Sequence, residues 1–194
     1  MTSNTDAPAS LAQRDLLLTR VLRARRHQVW RCWTEPGLIK RWFTPPPWQT
    51  VDARMDVRAG GTSLIVMRGP DGQEVPNPGV YLEVVPDERL VFTDAYARAW
   101  EPSAKPFMTG VLTFEDAGPH TRYTARVLHW SVEDREAHER MGFHAGWGIA
   151  TDQHLADLDL TGLASRGEDF GDLRHPKIHC WHPSTLRRPG AHWL

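Results

Sequence analysis

The chain has only two cysteines in 194 residues, Cys32 and Cys180. Two widely separated thiols cannot form the disulfide framework of a small secreted domain, which fits a reducing compartment. Net charge is also nearly absent: 23 basic against 24 acidic side chains leave −1, so charge alone marks no face for nucleic acid. No apolar run approaches the roughly 18 residues that span a bilayer. The opening MTSNTDAPAS lacks the basic start and apolar stretch of a secretory signal. The expectation is a cytoplasmic protein with no nucleic-acid partner and no membrane partner. A nucleophile elbow, a phosphate loop, a dinucleotide fingerprint and a zincin motif are all missing. Gly60-Gly61 does not open a helix, so it reads as a turn rather than a phosphate cradle.

Tryptophan, by contrast, is abundant, with nine residues. Trp30, Trp33, Trp42 and Trp48 crowd one stretch, and Trp100, Trp130, Trp147, Trp181 and Trp193 follow. Such rings carry much apolar area per residue. They serve either as core filler or as the wall of a pocket for a flat or greasy molecule.

Residues 1–14 read as a disordered N-terminus. From Asp15, DLLLTRVLR has the pattern of a strand. In ARRHQVWRCWTEP the period changes, with Val29, Trp30 and Trp33 at helical spacing. Pro36 suits the first turn of a helix, so one helix is predicted to end near Thr34 and a second to run from Pro36 to about Trp42. The run Pro45-Pro46-Pro47 cannot continue it. VDARMDVR then alternates, with Val51, Ala53, Met55 and Val57 on one face, as in a half-buried antiparallel strand. Further strands are predicted around TSLIVMR, Val80–Val85, Arg89–Tyr96, FMTGVLTFED and TRYTARVLHW, separated by turns such as GPDG. A looser stretch, ARAWEPSAK, precedes the last two. Ser131 and Asp134 form a capping signal for a closing helix over 131–160. Gly142, Gly146 and Gly148 either break that helix or let it lie close to the sheet. The reading adopted is close packing, because Phe143 and Trp147 stand at i, i+4.

The predicted order is a strand, two short helices, six strands and a long helix. Such a chain is an α+β domain in which a curved antiparallel sheet wraps around a long C-terminal helix. It spans 15–160, with an irregular extension at 161–194. Concave apolar spaces of this kind are where small molecules bind.

Candidate chemistry is sparse. His129, His138, His144 and His154 lack metal-ligand spacing. In the tail, His175, His179, Cys180 and His182 fit no standard zinc pattern, so no metal and no cofactor is expected. His129 shares the apolar face of the last strand with Tyr123, Ala125 and Val127 and should point inward. It is either a core histidine bonded to backbone or a titratable group at the pocket, the weak catalytic candidate. Glu83 and Asp94 lie in predicted strands. Each would be a functional acid if buried, although a solvated or ion-paired surface acid is the plainer reading.

Four stretches together resemble one known family: ARRHQVWRCWTEPGLIKRWFTPP (24–46), DVRAGGT (56–62), GVYLEVVPDERLVFTDA (79–95) and HWSVEDREAHERMGFHAGW (129–147). They are similar to bacterial START-like proteins grouped with the activator of heat-shock protein 90 ATPase, also called polyketide-cyclase-like or SRPBCC proteins. The resemblance spans about 15–160 and implies a helix-grip fold with a deep hydrophobic cavity. The tail has no counterpart in it. The eukaryotic co-chaperones of this family carry an extra N-terminal domain for much of the chaperone contact, so here that partner is implied by the family name alone.

The expected function is binding of a small hydrophobic or amphipathic ligand. The lining is assigned to Trp42, Phe43, Tyr81, Phe92, Phe107, Met108, Tyr123, Phe143 and Trp147, with His129 at a polar end. The alternatives are a cyclase or dehydratase-type enzyme acting on a polyketide-like substrate, and a chaperone ATPase regulator.

Overall fold

A computed structural model describes residues 11–148 and 151. A 3-10 turn at Leu11–Arg14 leads into strand β1 (Asp15–Leu22), followed by helices α1 (Arg26–Thr34) and α2 (Pro36–Trp42). Next come β2 (Gln49–Met55), β3 (Thr62–Arg68), β4 (Glu74–Val85) and β5 (Arg89–Thr93). A small ribbon of β6 (Tyr96–Arg98) and β7 (Glu101–Pro102) precedes β8 (Met108–Ala117) and β9 (His120–His129). Helix α3 (Val132–Arg140) follows, and residues 143–148 are helical again. No helix of the described residues is long and apolar enough to cross a membrane.

The main sheet has the order β1-β9-β8-β5-β4-β3-β2, and every pairing is antiparallel. Its two edges, β1 and β2, are therefore consecutive strands joined through α1 and α2. That connection must cross the whole width of the sheet, and it carries four tryptophan-region aromatics with it: Trp30, Trp33, Trp42 and Phe43 are all buried. Pro36 sets the break between the two helices. Glu35, the residue before it, is extended (φ −102°, ψ 121°), as the clash with a following proline ring requires.

Alternation on β9 buries Tyr123, Ala125, Val127 and His129 and leaves Arg122 and Arg126 outside. β8 adds Met108, Leu112 and Phe114 to the same inner face. Fully burying a side chain such as Leu112 or Phe114 contributes about 1.5–3 kcal/mol, so this face against the helices is the principal source of stability.

The α+β helix-grip architecture read from the sequence is the one observed, with several adjustments. Of the N-terminus expected to be disordered, residues 11–14 form the 3-10 turn and residues 1–10 lie outside the described residues; the Arg14 guanidinium donates to the Trp130 carbonyl at 2.9 Å. β4 begins at Glu74 rather than near Val80 and passes through Pro76 and Pro78. The register explains the tolerance: residues 74–79 pair with β3, whereas pairing with β5 starts only at Val80. The proline nitrogens thus remove no bond from a second ladder. ARAWEPSAK contributes the β6–β7 ribbon instead of a plain loop.

The closing helix is capped as expected, with Ser131 Oγ accepting the Asp134 N–H at 3.0 Å. It is not continuous, however. The chain turns at Met141-Gly142, where Gly142 has φ +93°, a left-handed value that ends a helix at little cost only for glycine. Of the two readings of these glycines, the break holds at Gly142. The rest of the predicted helix beyond 148, apart from helical Thr151, lies outside the described residues, as do His154 and the whole 161–194 extension.

Candidate functional site

Between the inner face of the sheet and the helices runs a chain of ring contacts. The Tyr123 ring on β9 stacks on Trp33 of α1, with centroids 6.0 Å apart. Trp33 meets Trp147 at 6.4 Å, and Trp147 meets Phe143 at 5.2 Å. Phe143 meets His138 edge-on at 5.1 Å, and His138 meets His129 at 5.2 Å. The layer starts and ends on β9. Tyr123 and His129 are six residues apart on one face of that strand, a span of about 20 Å.

Most of the predicted lining converges here. Phe143 and Trp147 belong to the chain itself. Trp42 and Phe43 pack on Trp33 at 4.7 and 6.2 Å. Phe92 stacks on Trp33 at 6.5 Å, and Phe107 touches both His129 and His138. Met108 and Tyr81 are buried in the same apolar cluster. A glycine makes room for the Phe92 ring. Gly110 lies directly across from Phe92 in the β5–β8 ladder, and a Cβ there would come within 2.6 Å of the Phe92 ring.

One end of the layer is polar. His129 is buried, and both its nitrogens are engaged: Nδ1 lies 2.9 Å from the Arg14 carbonyl and Nε2 lies 2.9 Å from His138 Nδ1. A carbonyl only accepts, so Nδ1 of His129 carries the proton. In the neutral pair Nε2 is then bare, and His138 Nδ1–H donates to it. The protein thereby fixes both tautomers, leaving His138 Nε2 as an unprotonated acceptor. Burial pushes the His129 pKa below its ordinary value, against the opposing pull of the Arg14 carbonyl, Asp134 and Asp15. His138 is pushed down to about 3, by burial first and by its neighbour His129 second. The pair is neutral near pH 7.

This arrangement alters the role expected of His129. It does point inward, but both nitrogens are occupied, so it can act only through His138. Spacing alone missed His138, because its partner comes from another element. Trp33 was likewise absent from the predicted lining, although it lies on the same buried face of α1 as Val29 and Trp30.

The other end carries two unpaired polar atoms. Trp33 Nε1 and Tyr123 Oη are buried without a hydrogen-bond partner. Burial holds the Tyr123 pKa well above the ordinary phenol value, so the hydroxyl stays neutral.

The two candidate acids fall outside the layer. Glu83 follows a bulge in the β4–β5 register that turns its carboxylate to solvent, where Oε2 pairs with Arg89 Nε at 3.0 Å. Asp94 lies beyond the end of β5, and its Oδ1 accepts the backbone N–H groups of Phe107 and Met108 at 2.9 and 3.0 Å. It secures the entry to β8. The N–H groups of Gly60 and Gly61 are spent on the Tyr81 and Arg58 carbonyls, so this is a turn, as read from the sequence. Among the described residues no group of three or more potential metal ligands occurs.

A seven-stranded antiparallel sheet against two short helices and a broken closing helix defines a START-like, helix-grip protein. Residues 23–158 match the activator of Hsp90 ATPase homolog 1-like family, and the chain belongs to that family. Among solved structures it is similar to protein NE0264 from Nitrosomonas europaea, at 40% identity and a TM-score of 0.76, covering 78% of this chain and 97% of that one. It is also similar to protein Ms6760 from Mycobacterium smegmatis, at 27% identity and a TM-score of 0.65, covering 81% and 98%. The AHSA1-like protein from Aeromonas hydrophila shares the fold at 18% identity, with a TM-score of 0.58 over 80% of this chain and 100% of that one. No curated protein matches the chain.

Proposed function

We infer that the protein binds a small hydrophobic or amphipathic molecule in the layer between the sheet and the helices, as a cytoplasmic protein. The observation that carries this reading is the unbroken ring chain from Tyr123 through Trp33, Trp147, Phe143 and His138 to His129. It presents aromatic walls from the sheet, α1 and the closing helix, with polar atoms at both ends. The break at Gly142 separates α3 from the helical stretch holding Phe143 and Trp147. That wall can shift without disturbing a strand pairing, which suits a site that must admit a guest.

Native mass spectrometry of the protein purified from its own host tests the reading. A co-purifying lipid, isoprenoid or polyketide that also raises the melting temperature is the expected result. Consistently empty protein, with no such molecule raising the melting temperature, counts against it.

The His129–His138 pair favours a second reading, an enzyme of cyclase or dehydratase type acting on a polyketide-like substrate. His129 would orient the ring of His138, whose Nε2 would accept a hydrogen bond from substrate and hold it for the reaction. If His138→Ala leaves turnover of an identified substrate unchanged, that role is wrong.

A further inference from the structure

We propose that the ligand carries an uncharged hydrogen-bond-accepting oxygen, of the ketone, ester or ether class, that is met by Trp33 Nε1 and Tyr123 Oη. The inference rests on the binding reading above and specifies the chemistry of the guest.

Buried polar groups in folded proteins nearly always have partners, and each exception calls for an explanation. Trp33 and Tyr123 are 4% and 1% exposed, and neither Nε1 nor Oη has a hydrogen-bond partner. They are not scattered defects, because the two rings stack on each other with an interplanar angle of 23°. Elsewhere in this cluster the same chemistry is satisfied: the neighbouring Trp42 donates its Nε1–H to the Cys32 carbonyl at 3.2 Å. Phenylalanine at position 123 would fill nearly the same volume without the desolvated hydroxyl. The polar atoms are therefore a cost borne by the empty protein and recovered when something accepts from them.

What can accept is constrained. An indole N–H only donates, so the guest must bring an acceptor; a phenol can donate to the same group. The rings packed on the stack are Trp42, Phe43, Phe92, Trp147 and Phe114, none of them charged. Arg20, paired with Tyr123 across the β1–β9 ladder, is exposed and donates to the Thr19 carbonyl, so an anion buried among those rings would be desolvated without a buried cation against it. A neutral carbonyl or ether oxygen bears no such penalty. Its apolar remainder would run along the ring chain toward Phe143.

The test compares 2-acetonaphthone with 2-isopropenylnaphthalene, which replaces the carbonyl oxygen by a methylene group and keeps the shape. Titration calorimetry measures affinity, and infrared spectroscopy of the ¹³C=O-labelled ketone reads the hydrogen bond directly. The expected result is a preference for the ketone on the order of tenfold, with the carbonyl stretch lowered from its value in hexane. Tyr123→Phe and Trp33→Phe should each reduce the preference and return part of the stretch. A merely structural role for these residues would not move the stretch. Tyr123→Phe removes a single oxygen atom, so it keeps the test decisive if Trp33→Phe fails to fold. Equal binding of the two probes, with the stretch as in hexane, overturns the inference and leaves the binding reading standing; a buried water serving both atoms would give that result. Binding of neither probe overturns both.

Discussion

His129 Nε2 and His138 Nδ1 lie 2.9 Å apart and join the last strand to the closing helix, while the far side of the His129 ring holds the Arg14 carbonyl. The N-terminal turn, the last strand and the helix that follows it thus meet on two imidazoles that are both buried and both held neutral.

The first prediction is a pH dependence of stability. Both pKa values are lowered on folding, His138 to about 3, from an unfolded value near 6.5. Below pH 6.5 the unfolded chain takes up protons that the folded chain refuses, so stability falls as pH drops from 6.5 toward 3. Above 6.5 the pair contributes no slope. The charged groups around it, Asp15, Asp134 and Arg135, modulate His129 but leave its shift downward. Each buried histidine adds at most about 1.4 kcal/mol per pH unit. Urea melts between pH 4 and 8 measure the slope, and His138→Phe should flatten it. An unchanged slope would mean that other groups carry it.

Removing one partner of the pair should also destabilise at neutral pH. His138→Ala leaves His129 Nε2 buried without its donor, at a cost of about 1–3 kcal/mol for the orphaned acceptor alone. Chemical denaturation at pH 7 reads this loss. A loss below about 0.5 kcal/mol would place the imidazole contact among the negligible ones.

Gly142 and Gly110 make separable predictions. Gly142→Ala forces a left-handed backbone on a residue with a Cβ and should cost about 1–2 kcal/mol, although a Cβ there meets nothing. Gly110→Ala drives a methyl into the Phe92 ring and should cost about 1–3 kcal/mol. Adding Phe92→Leu should recover part of the second loss and none of the first. Equilibrium unfolding of the four variants decides the matter.

Tyr123→Phe should leave the ligand-free protein as stable as the parent or about 1 kcal/mol more stable, because it deletes a hydroxyl that has no partner. Most core substitutions go the other way. A clear loss of stability would show that the hydroxyl is satisfied in solution.

Much of this was legible from local pattern. Pro36 and the apolar spacing of Val29, Trp30 and Trp33 located both short helices, and the alternation of Tyr123 to His129 set the inner face of β9. Features that depend on a second segment were not legible. The prolines of β4 argue against a strand until the register shows only β3 beside them. Strict alternation puts Glu83 on the face of Tyr81, and the bulge between them breaks that alternation. His138 was one histidine among several with poor metal spacing; its importance comes from His129, nine residues earlier and on a different element. Trp33 was absent from the predicted lining because an orphaned indole nitrogen is visible only once its surroundings are known. The glycines after α3 allowed two outcomes, and the left-handed turn at Gly142 selected the break.

Occupation of the ring layer by a small molecule is read out by intermolecular nuclear Overhauser effects. With bound 2-acetonaphthone, the expected result is cross-peaks from the naphthalene protons to ring protons of Trp33, Tyr123, Phe143 and Trp147. A probe that binds while giving cross-peaks only to surface residues such as Trp100 and Trp130, both exposed, would contradict it.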